Sequence, residues 1–322
     1  MERQHSGWHT LVIAIGSVGG MMLLPGPRPI SPAFAAPTME MARYDPTAEF
    51  EITVTDVEFR RNAAGRMLMA RVYRPVGTGP FPAVLDLHGG AWNAKDRLAE
   101  EPMDRSLAQS GLLVVAVDMT LAKEAPYPAA VQDANYAVRW LKWKAPSWNG
   151  DTSRLGVYGS SSGGHVAELL AMRPREPRYN AIPLPDAQHV DARISWAAMR
   201  SPISDTAGRL QHARRRGATE MVTWNTNFFV PLETIHEGNP QAILERREPI
   251  TIVPMLIMCG SLDDNVLPQF QHTFAASYAA AGGNMQCEVF EGAGHEWTAE
   301  EGPLTDRARE MVKTFIARHV NG

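Results

Sequence analysis

The chain alternates short apolar runs of strand length with segments of helical periodicity, and this alternation limits its possible folds more than any other feature. The runs PAVLDLHGG, GLLVVAVDM and VPMLIMCG are typical of strands that are buried on both faces. Between two runs of this kind, residues 129–144 carry apolar side chains at helical spacing: Val131, Ala134, Val138 and Leu141. The pattern predicts an α/β fold with a mostly parallel sheet of about eight strands and helices on both faces.

Two further features bound the fold. Ahead of the alternating part, EITVTDVEFR and MLMARVYRP flank RNAAG, which predicts a β-hairpin with its turn at residues 62–65. The 322 residues, 44% hydrophobic, suffice for one large core or two smaller ones.

The net charge of -4 gives no electrostatic reason to expect nucleic acid or an anionic membrane as a partner. A small molecule is the expected partner, and the oligomeric state stays open.

The N-terminus has the layout of a cleavable export signal. Arg3 precedes an apolar run over residues 11–24, and the tripeptide AFA at 33–35 then supplies a small-x-small cleavage pattern. A transmembrane anchor is the alternative, but 14 residues interrupted by glycines fall short of the roughly 20 that span a bilayer. We expect a signal peptide over residues 1–35, a mature domain over 36–322, no stable membrane anchor, and a periplasmic or secreted protein.

The cysteines and histidines show no spacing of a metal-binding kind. Cys259 and Cys287 lie in strand-like runs, where buried free thiols are common. Export would permit a disulfide, but a bridge between two strands needs a matched register that the sequence does not supply. We expect two free buried thiols, no metal and no cofactor.

Residues 201–250 interrupt the alternation and are too long for a simple connection. Long insertions of this kind are usually functional lids or binding loops. The aromatic residues Trp224, Phe228 and Phe229 favour a lid or cap that packs over a site. A solvated surface excursion is the alternative, and the charged run HARRRG would suit it.

The stretch GSSSG at residues 159–163 has the form G-x-S-x-G and lies between a predicted strand and a predicted helix. In this setting the central serine is a nucleophile on a sharp turn, and the glycines let strand and helix approach each other. A flexible hinge is the alternative. The setting favours Ser161 as the nucleophile.

A serine nucleophile needs a base, and the base needs an acid that orients it. His295 lies in a Gly-rich loop after the last predicted strand, so it should emerge at the same sheet edge as Ser161. The competing histidines, His88 and His165, are expected to be structural.

The acid is expected after the strand that precedes the His295 strand, where GSLDDNV offers two aspartates. The spacing from Gly260 to Val266 favours Asp263, whereas Asp264 could cap or solvate the turn. The resulting chain order of Ser, Asp and His is that of the α/β-hydrolases.

The sequence HGGAW at residues 88–92 follows an early strand and matches the His-Gly-Gly type of loop, whose backbone N–H groups stabilise an oxyanion. The expected donors are the backbone N–H groups of Gly90, Ala91 and Ser162. The alternative is a glycine turn that has no catalytic role.

These motifs resemble those of α/β-hydrolases of the His-Gly-Gly-x-Trp kind. The sequence is similar to the hormone-sensitive-lipase-like esterases, the acetylxylan and feruloyl esterase-like group, and kynurenine formamidase. The resemblance covers about residues 50–320 and rests on HGGAW, YPAAVQDANYAVRWL, GSSSGGH, GSLDDNV and GAGHEW, in family order. It implies the α/β-hydrolase fold and its Ser-His-Asp triad. The sequence departs at Ala91, in place of Gly, and at Ser162, where relatives often have Ala and where the hydroxyl is expected near the acyl group.

The expected activity is hydrolysis of a carboxylic ester, with a short acyl group or a small aromatic group, through an acyl-enzyme on Ser161. Amide or formamide hydrolysis, or peptidase activity, uses the same constellation and is the alternative. A non-catalytic binding protein on the same fold would be expected to lack part of the triad. Four aromatic residues are expected to contact the substrate: Trp92, Trp224, Phe228 and Trp297.

Overall fold

The computed structural model describes residues 43–322. The predicted signal peptide over residues 1–35 and the first residues of the predicted mature domain lie outside the described residues. Within residues 43–322, strands and helices follow one another in the predicted alternation. No helix in this part of the chain is both long and apolar enough to cross a membrane.

The described part of the chain contains eight strands and nine α-helices. The strands are β1 (Ile52–Arg61), β2 (Met67–Pro75), β3 (Phe81–Leu87), β4 (Leu113–Val117), β5 (Gly150–Ser160), β6 (Ala197–Arg200), β7 (Met255–Gly260) and β8 (Met285–Phe290). The helices are α1 (Glu101–Gln109), α2 (Ala129–Lys144), α3 (Ser162–Met172), α4 (Thr206–Arg216), α5 (Thr219–Phe228), α6 (Thr234–Glu237), α7 (Pro240–Glu245), α8 (Pro268–Ala280) and α9 (Pro303–Val320).

The eight strands form one sheet in the order β1-β2-β4-β3-β5-β6-β7-β8. β2 is antiparallel to both of its neighbours, and every other neighbouring pair is parallel, which confirms the predicted sheet. β4 and β5 lie on opposite sides of β3, so the strand order reverses there. In open α/β sheets, ligands bind at the carboxyl ends of the strands beside such a reversal. The ends of β3 and β5 are therefore where a site is expected.

The predicted N-terminal hairpin is confirmed. β1 pairs antiparallel with β2, and the N–H of Asn62 donates to the carbonyl of Arg66 across the turn at 2.9 Å. Gly65 has a φ of 85°, a left-handed conformation that glycine adopts without steric strain. The turn fixes the register in which β1 pairs with β2.

The central strands separate two hydrophobic cores. β3, β4, β6 and β7 are buried along their whole length, which explains why their sequences are apolar almost throughout. Along β3, Leu85 contributes to one core and Val84 to the other, as alternate residues of a strand must. Side chains of α2, α3 and α8 complete the first core, and those of α1 and α9 complete the second. The apolar stripe predicted on α2 lies in the first core.

The segment between β6 and β7 folds into four helices, α4 to α7. The Asp205 carboxylate caps α4 by accepting from the N–H of Gly208 at 2.8 Å, and Asn239 caps α7 by accepting from Ala242 at 3.2 Å. Gly217 ends α4 with a φ of 68°. The insertion is thus a set of capped helices rather than an extended loop.

The two cysteines lie on neighbouring strands, Cys259 on β7 and Cys287 on β8, and both are free thiols. Cys259 is buried, whereas Cys287 is only half-buried. Cys287 lies opposite Ile257, so the two cysteines are offset by two residues in the sheet register.

Candidate active site

Ser161 is the single residue between the end of β5 and the start of α3. Its φ of 51° and ψ of -113° place it in a region that a residue with a side chain rarely adopts. Strain of this kind persists only where the surroundings impose it, and it is concentrated at functional sites. The turn has the geometry expected of a nucleophile elbow.

The glycines on either side of the elbow are required by close backbone approach. A Cβ atom on Gly159 would lie 2.7 Å from the carbonyl oxygen of Gly163, and one on Gly163 would collide with the carbonyl oxygen of Leu87. The strand and the helix therefore meet at a distance that only glycine permits, as the motif predicts.

The structure brings Ser161, His295 and Asp263 together in a hydrogen-bonded chain. Ser161 Oγ lies 3.0 Å from His295 Nε2, and His295 Nδ1 lies 2.8 Å from Asp263 Oδ2. These residues follow β5, β8 and β7 respectively, so the parallel sheet delivers all three to one edge. The fold thus brings His295 into contact with Ser161, 134 residues away in the sequence, and with Asp263, 32 residues away.

The loop after β7 distinguishes the two neighbouring aspartates. Asp263 is buried, and its Oδ1 accepts hydrogen bonds from the N–H groups of Asn265 at 3.0 Å and Val266 at 2.8 Å. Burial alone would raise the pKa of the Asp263 carboxyl, but hydrogen bonds to His295 and Val266, with the charge of His295, lower it. Asp264 is exposed and pairs with Arg216 instead.

The competing histidines are both bonded away from the serine. His165 Nε2 donates to the carbonyl of Gly238 at 2.7 Å, and its Nδ1 accepts from the indole of Trp92 at 3.2 Å. Burial lowers the pKa of His165 to about 4 and also lowers that of His88. His88 Nδ1 lies 2.8 Å from the carbonyl of Gly89. Both rings serve as fixed neutral links between segments.

The loop after β3 lies against the elbow and carries unpaired backbone donors. Gly90, Ala91 and Trp92 all have positive φ, at 95°, 49° and 60°. Within residues 43–322, the N–H groups of Gly90, Ala91 and Ser162 donate to no protein acceptor. A Cβ atom on Gly89 would lie 3.4 Å from Cβ of Ser161. These free donors therefore lie beside Ser161.

The Ser162 hydroxyl is engaged with this loop rather than free. Its Oγ accepts a hydrogen bond from the N–H of Trp92 at 3.1 Å, and its side chain is buried. In the structure this hydroxyl holds the loop after β3 against the elbow, and its expected position near the acyl group stays a prediction.

Two of the four aromatic residues expected to contact substrate are packed together inside the protein. Trp92 stacks on Phe228 with ring centroids 4.6 Å apart and planes 3° from parallel. Phe228 has no exposed surface, so it presents no area to a substrate. The expectation for Phe228 is therefore wrong, because the insertion uses this ring to pack on Trp92 and the first core.

The other two aromatic residues lie in different surroundings. Trp224 is half-buried, and its carbonyl accepts from Asn93 Nδ2 at 3.0 Å, a group that also donates to the carbonyl of Ala91. Trp297 is buried against Phe290 in the second core, with centroids 4.3 Å apart. Trp224 is thus the aromatic residue of the insertion that borders the loop after β3 and keeps exposed surface.

A buried ion pair beside His295 has no counterpart among the residues predicted from the sequence. Arg200, the last residue of β6, donates through Nη1 to the carbonyl oxygen of His295 at 2.5 Å and through Nη2 to Glu100 at 3.3 Å. Glu100 also accepts from Ser160, the residue before the nucleophile, at 2.5 Å. The only available signal was an arginine at the end of an apolar strand. Within residues 43–322, no group of His, Cys, Asp or Glu side chains is arranged to hold a metal ion.

Comparisons with known proteins identify the relatives of this chain. The BD-FAE family model matches residues 71–277. Carboxylesterase NlhH of Mycobacterium tuberculosis is 38% identical over 108 residues, and the match covers 33% of this chain and 34% of that protein. The chain thus spans about a third of the length of this relative. An ethyl acetate hydrolase of Pseudomonas putida is 28% identical over 275 residues, with 80% of each chain covered.

Solved structures show the same fold. Esterase 2 of Thermogutta terrifontis, in a form phosphoramylated by tabun, superposes with a TM-score of 0.66 at 20% identity. The superposition covers 82% of this chain and 94% of that one. Because the family model matches well over half of the 322 residues, the chain belongs to the BD-FAE family, in the hormone-sensitive-lipase-like group of α/β-hydrolases.

Proposed function

We propose that this protein is a serine carboxylesterase that hydrolyses a small-molecule carboxylic ester through an acyl-enzyme on Ser161. The observation that carries this proposal is the hydrogen-bonded chain from Ser161 through His295 to Asp263, at 3.0 and 2.8 Å. The free N–H groups beside the serine can bind an oxyanion, and they support the proposal.

In the proposed reaction, Ser161 Oγ attacks the ester carbonyl and its proton passes to His295 Nε2. Asp263 accepts the N–H of Nδ1, so it holds the ring in the tautomer whose Nε2 can act as a base, and it stabilises the imidazolium that forms. The negative charge that develops on the carbonyl oxygen meets the N–H groups of Gly90, Ala91 and Ser162. His295 then protonates the leaving alcohol, and a water molecule activated by the same ring releases the acid.

An ester, rather than an amide, is proposed as the substrate because the relative covered over four-fifths of its length is named for ethyl acetate hydrolysis. A short acyl group is proposed on the same ground, because ethyl acetate has a two-carbon acyl group. Amide, formamide or peptide hydrolysis would use the same residues. Rates on p-nitrophenyl esters of graded length, beside a matched anilide and a formamide, separate these activities.

The test of the nucleophile is covalent labelling. A fluorophosphonate probe should react with Ser161, and Ser161→Ala should abolish both labelling and ester hydrolysis, because no other described hydroxyl contacts His295 Nε2. Circular dichroism of the variant checks that the fold is retained. Labelling at Ser160 or Ser162 would contradict the assignment, and labelling with no hydrolysis of any ester would contradict an esterase.

We also propose that residues 201–250 act as a cover over the strand ends and that the chain is exported. The cover is supported by the contact between Asn93 and the carbonyl of Trp224. Export rests on the sequence pattern of residues 1–35 alone. Expression in a bacterial host should give a periplasmic product whose mass corresponds to a start near Ala36. A product that retains residues 1–35 would contradict cleavage.

A further inference from the structure

α4 contains a fully buried arginine that forms no ion pair within residues 43–322. Arg209 has no exposed surface, and among the described residues its only hydrogen-bond acceptor is the neutral amide of Asn265. Its Nη1 has no partner among these residues. Burial lowers the pKa of Arg209 to about 10, an effect that the negative charge of Asp263 opposes. Burying a charge without a counter-ion is costly, so the contacts of this side chain need a physical explanation.

The first of these contacts leads to the loop that holds Asp263. Nε and Nη2 of Arg209 both donate to Asn265 Oδ1, at 3.0 and 2.7 Å. The N–H of Asn265 in turn donates to Asp263 Oδ1 at 3.0 Å. Two donors on one rigid guanidinium hold the amide of Asn265 in a fixed position and orientation. Through Asn265, α4 therefore constrains the carboxylate that faces His295.

The second contact leads to the loop after β3. The guanidinium carbon of Arg209 lies 5.8 Å from the ring centroid of Trp92, within the range of a cation–π contact. The N–H of Trp92 donates to Ser162 Oγ, so this ring belongs to the segment that presents the free backbone donors. One side chain of the insertion thus touches both the acid loop and the loop proposed to bind the oxyanion.

We propose that Arg209 is a positioning residue, which holds the Asp263 loop and the Trp92 loop in register from the insertion. The inference rests on the proposed ester hydrolysis and assigns part of its efficiency to a residue that does not touch the substrate. Under this proposal, α4 is a fixed structural support of the site. Other bonds attach the insertion in the same way, from His165 to the carbonyl of Gly238 and from Asn93 to that of Trp224.

The test is a double-mutant cycle on kcat. Arg209→Met and Asn265→Ala each cut the link to the acid loop, and each should lower kcat on p-nitrophenyl acetate, by about 10²-fold for Arg209→Met because small displacements of catalytic groups are costly. KM should change by less than about threefold, because neither side chain contacts the substrate. The double variant should be no slower than Arg209→Met, since both changes break the same connection.

A matched control exists in α2. Arg139 is also buried and also donates through Nε to an asparagine, Asn135 Oδ1, at 3.0 Å, but it contacts none of the site residues. Arg139→Met should lower the melting temperature and leave kcat within about twofold of the parent value. It therefore measures what the loss of a buried arginine does by destabilisation alone.

The possible failures are distinguishable. A parent protein that hydrolyses no ester, or activity that survives Ser161→Ala, contradicts the proposed function. If the parent is active through Ser161 while folded Arg209→Met and Asn265→Ala keep kcat within about twofold, the positioning role is overturned alone. Multiplicative losses in the double variant would also overturn it, because they show independent effects. If Arg209→Met does not fold, Asn265→Ala, at a half-buried position, decides the question.

Discussion

Asp263 and Asp264 are adjacent in the chain, yet the fold gives them opposite environments. Asp263 is buried and accepts from His295 and from two backbone N–H groups, whereas Asp264 extends into solvent beside Arg216. A carboxylate held by three donors stays ionised and fixed, and both properties are needed to orient a histidine base. Roles at this scale are set by burial and hydrogen bonding rather than by residue type.

The two aspartates can therefore be separated by substitution. Asp263→Asn should lower kcat by about 10⁴-fold, because the amide can donate to the ring and favour the wrong tautomer. Asp264→Asn should change kcat little, since it removes only an exposed ion pair. Steady-state kinetics on one ester measure both. A larger loss in Asp264→Asn than in Asp263→Asn would contradict the register of this loop.

Ser162 offers a second prediction at the residue scale. Its hydroxyl is the acceptor for the N–H of Trp92, so Ser162→Ala should leave that buried donor unpaired and loosen the loop after β3. We expect kcat to fall about tenfold, equivalent to about 1.4 kcal/mol, while the N–H of residue 162 is retained. An unchanged kcat, measured with an unchanged KM, would show that the loop is held by its other contacts.

At this scale the sequence predicts the residues that follow strands and misses those that act across the chain. Ser161, Asp263 and His295 each occur in a short motif at a strand end, so local patterns and chain order were sufficient. The bond from Arg209 to Asn265 joins residues 56 apart, and no local pattern specifies it. The bond from Arg200 to His295 joins residues 95 apart, and no local pattern specifies it either.

The insertion is the element whose structure adds most to the sequence. Two of its helices, α4 and α7, begin at side-chain caps, but the run HARRRG has no apolar face of a regular period. Four helices were therefore not predicted, whereas the strands and α2 were, since their apolar patterns are strong. The aromatic residues of α5 also divide by environment: Phe228 is buried in the core, and Trp224 keeps exposed surface.

This division predicts different outcomes for two substitutions in α5. Phe228→Ala removes a fully buried ring and should destabilise the protein by about 3–5 kcal/mol, with the ranking of ester substrates unchanged. Trp224→Ala should change the preferred acyl length through kcat/KM and leave the rate of reaction with a small organophosphate nearly the same. Melting temperatures and rates across the ester series measure both effects. An ester ranking that Trp224→Ala leaves unchanged would contradict the proposed cover.

At the scale of the whole molecule, acidic side chains are buried on the face of the sheet opposite the one against which the insertion packs. Asp104 on α1 is fully buried, and its carboxyl oxygens have no hydrogen-bond partner among the described residues. Burial raises the pKa of Asp104 well above its usual value, with contributions from Asp86, Glu100 and Glu101, against Arg71. The folded state therefore binds a proton here that the unfolded chain releases above about pH 3.9.

The sign of the effect on stability follows from this difference in proton binding. Because the folded pKa is raised, the group costs nothing below its unfolded pKa and an increasing amount as pH rises above it. Asp104→Asn keeps the neutral shape and removes the cost, so it should raise the melting temperature more at pH 8 than at pH 5. Scans at the two pH values measure the gain. An equal gain at both values would show that the carboxyl of folded Asp104 is already ionised at pH 5, and would contradict a strongly raised pKa.

The position of β8 at the edge of the sheet affects the order in which the site forms during folding. Among the described strands, β8 pairs only with β7 and is largely half-buried, yet it is followed by the loop with His295. Ser161 follows β5, near the middle of the sheet. A folding chain can complete the elbow and most of its interior before this last strand joins. Until then Ser161 has no base, and the proposed ester hydrolysis cannot begin. The strand order therefore makes the assembly of the proposed triad a late step of folding.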